Sequence, residues 1–186
     1  MQFKNAQQVF EYYYNKIIKN GIDFNNTKAL MNQGFTILNP EDNLIKTDFR
    51  NWSIRYANRE WEWYMSENPN AEEISKYAPI WKKMMDSNNN VRSNYGWQWS
   101  RNNQLNKIIE KLNNNKETRH AAISIYDGKE IDTYSKDTPC TYAIQFSIYN
   151  DKLNMAVLMR SNDLWYGFCN DQFCFSKLQI LIAKKL

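Results

Sequence analysis

Two stretches of the chain carry side chains suited to covalent or anion-binding chemistry. Pro139-Cys140 stands where the polar stretch DTYSKDT gives way to an apolar run, so the thiol falls near a strand end and can face a cleft. A nucleophile needs that exposure, whereas an isolated cysteine is otherwise more often a small buried hydrophobe than a catalyst. Twenty residues later, Arg160-Ser161-Asn162-Asp163 follows a second apolar strand. A guanidinium and a hydroxyl at a strand end make an oxyanion clamp, because arginine offers a planar fork of donors that matches phosphate. The plainer reading of that arginine is a surface ion pair.

These residues must be positioned by the elements around them. Apolar residues recurring at three- and four-residue steps predict helices over 5–19, 53–66, 72–86 and 101–113, the third running through Ile74, Tyr77, Ile80, Trp81 and Met84. Asn70 precedes AEE and can cap that helix, with the acids in its first turn. The character then changes to β-branched and aromatic residues with partial alternation. Strands are expected over 121–126, 142–149 and 153–159, the last two joined by a hairpin turn at Asn150-Asp151. Helical spacing returns over 170–185 through Phe173, Leu178, Leu181 and Ile182. The asparagine clusters at 88–90 and 113–115 read as short loops. The class is α+β, a mostly antiparallel or mixed sheet packed by helices, in one domain over 1–186.

Composition narrows the partners. The chain has 186 residues, 42% of them hydrophobic and 15% aromatic, enough for a sizeable core and incompatible with disorder. Twenty-four Lys and Arg against 20 Asp and Glu give +4, a mild basicity that suits an anionic small molecule and falls short of a nucleic-acid coat. No apolar run approaches the ~20 residues of a membrane span, and the N-terminus lacks a signal-peptide pattern, so a cytosolic protein of a bacterium or of a phage's host is expected. Cys140, Cys169 and Cys174 are odd in number without CxxC pairing, and imply neither a disulfide framework nor a metal site.

Taken in order, Glu60 before Trp63-Tyr64, Ile80-Trp81, Tyr95-Gly96 with Gln98-Trp99, Thr118-Arg119, Pro139-Cys140, Gln145-Phe146, and Arg160-Ser161-x-Asp163 with Gly167 resemble the thymidylate synthase and deoxycytidylate hydroxymethylase superfamily. The resemblance runs from about residue 35 to the end, and the 20-residue step from Cys140 to Arg160 matches the family's spacing. It implies a thymidylate synthase-like fold whose sheet forms a dimer interface. It also implies a chemistry. Carbon 5 of a pyrimidine is a poor nucleophile, and addition of a cysteine thiolate at carbon 6 makes the ring an enamine that attacks a one-carbon unit.

By that resemblance Cys140 is the nucleophile, and Arg160 with Ser161 holds the phosphate of a pyrimidine nucleoside monophosphate while favouring the thiolate. Glu60 is the acid that organises water and assists proton transfers; its bland alternative is a solvated helix residue in REWEW, and Glu62 points about 200° away on a helix. Tyr95 stands near the pyrimidine, and Gln145 belongs to the substrate-binding set. Trp81 forms an aromatic wall for the cofactor, 5,10-methylenetetrahydrofolate, although an aromatic residue on a helix is usually core. Asp163 meets the pyrimidine through its backbone and the pterin through its carboxylate, and Gly167 allows close backbone approach to the cofactor. Arg119 reaches the partner's phosphate across a two-fold axis, so a homodimer is implied, with neither nucleic acid nor membrane as a partner.

The sequence also departs from the synthase pattern. Arg119 is followed by His120 and not by a second arginine, and the residue after Cys140 is Thr141 where synthases usually carry histidine. Asp171, 31 residues after Cys140, replaces the asparagine that pairs with uracil, as in the cytidylate hydroxymethylases; the adjacent Asn170 would fill that role only after a one-residue slip. The resemblance implies further segments beyond Leu186, including a His-x-Tyr motif for the sugar and a closing tail, so the chain reads as C-terminally short. The upstream phosphate-binding arginine loop is not evident, with Arg50, Arg55 and Arg59 as candidates. The expected activity is folate-dependent hydroxymethylation of dCMP, supplying a modified base to a phage-like genome. The alternatives are a thymidylate synthase or dUMP hydroxymethylase, and a truncated nucleotide-binding homologue or one chain of a split enzyme that a second chain completes.

Overall fold

The computed structural model describes residues 1–134 and 137–186. The chain forms two compact units, one from Met1–Ile54 with Asp163–Ile180, the other from Arg55–Asn162 with Leu181–Leu186.

In the first unit, β1 (Gln2–Phe3) pairs in parallel with β4 (Thr36–Ile37). Helix α1 (Ala6–Asn20) starts at Asn5, whose side chain accepts from the Gln8 amide at 3.0 Å. It buries Ala6, Val9, Phe10 and Tyr13, a three-and-four spacing, against Ile45, Phe168 and Cys169. A hairpin of β2 (Ile22–Phe24) and β3 (Thr27–Ala29) turns at Asn25-Asn26, both at positive φ. Asparagine tolerates that left-handed pair, the geometry a two-residue hairpin turn requires. Helix α7 (Cys169–Ala183) follows a π-helical turn over Leu164–Phe168. Its buried set of Gln172, Phe173, Cys174, Phe175, Ser176, Leu178 and Ile182 runs round the whole helix, as expected of a core helix.

The second unit carries α2 (Ile54–Met65), α3 (Glu72–Ser75), α4 (Ile80–Met84), α5 (Tyr95–Ser100) and α6 (Gln104–Asn114). The predicted helix 72–86 is therefore two short helices. Pro79 lacks an amide proton and disfavours helical backbone at Ala78, so the turn breaks there, and Tyr77 and Ile80 are left exposed. Asn70 still caps this region, accepting from the Glu72 amide at 3.0 Å. The helix expected from 101 begins at 104, because Asn102 and Asn103 adopt left-handed backbone.

The sheet of this unit has the order β5 (Ala122–Ser124), β6 (Thr141–Tyr149), β7 (Lys152–Met159), antiparallel throughout. Asn150-Asp151, both at positive φ, form the predicted turn. One face aligns Ile123, Ile144, Phe146, Met155 and Val157, and Ile123, Ile144 and Phe146 are fully buried. The other presents Gln145, Ala156, Leu158 and Tyr149, with Leu158 52% and Tyr149 71% exposed. A bulge between Thr141 and Ala143 shifts the β6–β7 register by one residue.

Helix α5 lies directly on the end of α2. A Cβ on Gly96 would stand 1.8 Å from the Tyr64 carbonyl oxygen, a backbone atom that cannot step aside. Gly96→Ala is expected to cost at least about 3 kcal/mol, the upper end of ordinary overpacking. Urea unfolding measures this, and an unchanged midpoint would contradict the close approach.

Candidate active site

The open end of the β6–β7 hairpin forms one cluster. Cys140 directly precedes β6 and Arg160 directly follows β7, and the Arg160 amide donates to the Cys140 carbonyl at 2.8 Å. The 20-residue step in the sequence is thus the length of a hairpin. The guanidinium holds the approach to Cys140 from several sides, with Nε donating to Pro139 O at 3.0 Å and Nη2 to Thr138 O at 3.0 Å. Nη2 also reaches the Cys140 sulfur at 3.7 Å, placing a fixed cation against the thiol, an arrangement that favours thiolate. Cys140 is half-buried, whereas Cys169 and Cys174 are buried. Burial pushes the Cys169 thiol up, with the nearby Arg50 opposing it.

Asp137 anchors the same segment. Its Oδ2 accepts from the Ser93 amide at 2.6 Å; burial raises its pKa, against hydrogen bonds from Ser93 and Arg92 and the charge of Arg160. Thr141 is fully buried, and its hydroxyl finds no hydrogen-bond partner among the described residues. Ser161 is exposed beside Arg160.

A second cluster is built on α2. Ala57, Glu60 and Tyr64 share its buried face, which carries the carboxyl of Glu60 into the interior with 4% exposure. The Tyr64 hydroxyl donates to Glu60 Oε1 at 3.0 Å, while Oε2 is buried and accepts no hydrogen bond from the described residues. Burial raises the Glu60 pKa to about 7, opposed by the hydroxyls of Tyr64 and Tyr56. The Trp81 indole donates to the Tyr56 hydroxyl at 2.9 Å, and its ring packs edge-on against Trp63 at 5.1 Å. Tyr95 lies 5.8 Å from Tyr64, so Glu60, Trp81 and Tyr95 belong to one aromatic-walled cluster. Glu62, on the opposite side of α2, is exposed and paired with Arg59 at 2.7 Å. Sequence reasoning singled out neither Tyr56 nor Tyr64 as a partner of Glu60, although their places four residues before and after it were the available signal.

The remaining predicted residues stand on other elements. Arg119 and His120 are exposed just before β5, and the Gln145 amide donates to Arg119 O at 3.4 Å and to Phe146 O at 3.0 Å. In the first unit, Asp163 caps the π-helical turn, accepting from the Tyr166 amide at 2.6 Å, and Gly167 lies within that turn. Asp171 is half-buried in the first turn of α7, where the helix dipole favours an anion. Its neighbour Asn170 is committed at both ends of its amide, accepting from the Trp52 indole at 2.8 Å and donating to Tyr166 O at 3.1 Å. Among the upstream arginines, Arg50 donates to Trp165 O at 2.7 Å and Arg59 pairs with Glu62, while Arg55 is exposed.

The sequence model of the family described as thymidylate synthase matches residues 8–186. The chain belongs to the thymidylate synthase family. Over 125 residues it is 37% identical to the deoxycytidylate 5-hydroxymethyltransferase of Enterobacteria phage T4, covering 62% of this chain and 50% of that protein. It is 25% identical over 203 residues to thymidylate synthase 1 of Bacillus spizizenii, covering 94% of this chain and 72% of that one. The chain thus spans about half the length of the phage relatives it matches. The fold is that of the thermostable thymidylate synthase A from Bacillus subtilis, with a TM-score of 0.68 at 20% identity over 97% of this chain and 73% of that one. No described helix is long and apolar enough to cross a membrane.

The placement of the three thiols generates a direct test. Brief iodoacetamide exposure at neutral pH followed by peptide mapping is expected to label Cys140 first, and Arg160→Leu to slow that labelling about five- to tenfold by removing the cation beside the sulfur. Faster labelling at Cys169 or Cys174 would show that Cys140 is not the reactive thiol.

Proposed function

We propose that the chain is a folate-dependent pyrimidine C5 hydroxymethyltransferase acting on dCMP, with the Cys140 thiolate as nucleophile. The observation that carries this reading is the pairing of Cys140 and Arg160 across the open hairpin end, with the guanidinium 3.7 Å from the sulfur. One cation then serves two tasks: it favours the thiolate and, with Ser161, holds the nucleotide phosphate. The sulfur adds to carbon 6 of the ring, and carbon 5 gains electron density and forms the new carbon–carbon bond to a one-carbon unit that parts from its carrier amine. The carbon-5 hydrogen leaves as a proton, and water adds at the transferred carbon to give the hydroxymethyl group as the sulfur is expelled as thiolate.

Glu60 is suited to the proton and water movements of this sequence. A carboxyl with a pKa of about 7 is populated in both protonation states near neutrality, as an acid–base group must be. Its buried Oε2, which accepts no hydrogen bond from the described residues and lies within a cluster walled by Trp81 and Tyr95, fits a flat donor-bearing ring. The family's cofactor, 5,10-methylenetetrahydrofolate, supplies when bound a one-carbon unit at the oxidation level of formaldehyde. Trp81 would hold it by its ring face, and Asp163 and Gly167 carry the family's remaining cofactor positions.

The preference for cytosine rests on Asp171. Its carboxylate accepts from the exocyclic amine of cytosine and favours protonation of the ring nitrogen, whereas it repels the uracil carbonyl. The competing assignment, an asparagine amide that would suit uracil, is weakened because Asn170 spends both ends of its amide on Trp52 and Tyr166. A second reading, thymidylate synthase or dUMP hydroxymethylase, is favoured by the 94% coverage against the Bacillus synthase. The working form is a homodimer, with the exposed β6–β7 face as interface and Arg119 completing the partner's phosphate site.

A tritium-release assay with carbon-5-labelled nucleotides tests the reading. We expect dCMP to exchange faster than dUMP by about tenfold to a hundredfold, the effect of one unmet buried polar contact, and Asp171→Asn to shift the preference toward dUMP. Faster exchange of dUMP by the unaltered chain would make the cytidylate assignment wrong. Binding without exchange of either nucleotide would favour a nucleotide-binding protein without turnover. Mixing Cys140→Ala and Arg119→Ala chains is expected to restore part of the exchange, and no rescue among confirmed mixed dimers would count against the shared site.

A further inference from the structure

Tyr56 and Tyr64 stand four residues before and four after Glu60 on α2, so the helical repeat stacks all three on one face. Tyr64 donates directly to Glu60 Oε1 at 3.0 Å. Its ring is clamped by Tyr95 at 5.8 Å and edge-on by Trp99 at 5.8 Å, and its backbone lies against Gly96, leaving the phenol little freedom to swing away. Tyr56 is set from the other side. The Trp81 indole can only donate, and it donates to the Tyr56 oxygen at 2.9 Å. A phenol oxygen that accepts there keeps its own proton to give, and the Glu60 carboxyl lies one turn along the same face. The result is a directed chain from Trp81 through Tyr56 toward Glu60, met by Tyr64 from the opposite end, with Oε2 left over, buried and without a hydrogen-bond partner among the described residues.

Resting on the reading of Glu60 as the acid–base group of the pyrimidine site, we infer that Tyr56 and Tyr64 are positioning residues: together they fix the carboxyl from both ends, Trp81 sets the direction of the Tyr56 proton, and Oε2 is the oxygen turned to substrate or water. This gives Trp81 a second task through its indole N–H, separate from the packing of its ring. It also explains how a carboxyl in an aromatic interior remains ionisable near neutrality. Burial alone penalises the charged form, whereas two phenol donors stabilise it, so the acid stays within reach of pH 7. Among the described residues, the titratable groups set against Glu60 are Tyr56 and Tyr64 on its own helix, with Tyr95 from α5 packed on Tyr64. Arg59, the nearest cation in sequence, is turned outward to Glu62.

The sign follows. Glu60 is neutral below about 7 and ionised above it, and removing a donor to the carboxylate moves the midpoint upward. The test is a carbon-13 NMR titration of the Glu60 carboxyl in the full chain, in the unaltered protein and in Tyr64→Phe, Tyr56→Phe and Trp81→Phe, each checked for folding by circular dichroism. We expect Tyr64→Phe and Tyr56→Phe to raise the midpoint by about one pH unit each. Trp81→Phe, which frees the Tyr56 proton to turn away, should raise it by less, and should add nothing when Tyr56 is already Phe. A merely structural role would lower stability and leave the midpoint in place, so unmoved midpoints in both tyrosine variants overturn the inference. Because the titration needs no turnover, absence of nucleotide exchange would sink the functional reading and leave this result standing. Where exchange is observed, the acid–base limb of its pH profile should move by the same interval; a limb that stays fixed while the NMR midpoint moves would remove Glu60 from the reaction and spare the network.

Discussion

The register of the β6–β7 hairpin is the constraint on which the rest of the site depends. From the turn at Asn150-Asp151 the ladder pairs Tyr149 with Lys152 and continues to Ala143 opposite Leu158. Had it continued unbroken, Cys140 would stand opposite Ser161. The bulge inserts one extra residue, Tyr142, so that Thr141 pairs with Met159 and Cys140 meets Arg160. Bulges bend and retwist a strand and re-aim the side chains beyond them. Here the consequence is chemical, because one residue of slip decides whether a guanidinium or a hydroxyl faces the sulfur. The Arg160 side chain then fixes the last turn of chain before the thiol through Pro139 and Thr138, so the same residue that charges the site also shapes it.

The second cluster obeys a different constraint. Among the described residues Glu60 is the only charged side chain in the buried set, and it sits amid large buried aromatic residues, Tyr64 and Trp99 among them. An isolated carboxylate cannot be held in such surroundings without a large desolvation cost, and a carboxyl that merely stayed neutral would be inert as a base. The helical repeat resolves this conflict by bringing phenols from positions one turn away on either side. The aromatic content that makes the interior apolar therefore also supplies the hydrogen-bond donors, since tyrosine and tryptophan each carry an apolar body and a polar tip.

Much of this was legible in the sequence, and what was not has physical reasons. The alternation of YAIQFSIY and the Asn150-Asp151 turn announced the hairpin, because that information is local, and so brought Cys140 and Arg160 to its open end within one residue of register. Exposure of Glu62 followed from helix geometry alone. The stripe through Ile74, Tyr77, Ile80, Trp81 and Met84 misled, because its spacing spans Pro79, and one proline outweighs five well-spaced apolar residues. The short strands before residue 38 were not predicted; β1 and β4, two residues each, form only by finding each other, and nothing local announces such a pairing. The Asn25-Asn26 turn was a readable signal, of the same chemistry as Asn150-Asp151, whose flanks Ile22–Phe24 and Thr27–Ala29 are only three residues each and too short to give it weight. The bulge at Tyr142 has no local signal in the sequence.

The choice between Asn170 and Asp171 shows how a local hydrogen-bond inventory bears on base preference. The two residues are adjacent at the start of α7, so their side chains leave the helix about 100° apart and cannot serve the same direction. Asn170 has one acceptor and one donor group, and the Trp52 indole and the Tyr166 carbonyl engage both. For it to turn to a pyrimidine in another direction it would have to give up these bonds inside its own unit, each costing about 1 kcal/mol or more to leave unmade. Asp171 stands in the first turn of α7, where a carboxylate is electrostatically favoured. On the proposed reading, then, base preference rests on an acid placed in the first turn of α7, while the amide beside it is turned to the Trp52 indole and the Tyr166 carbonyl.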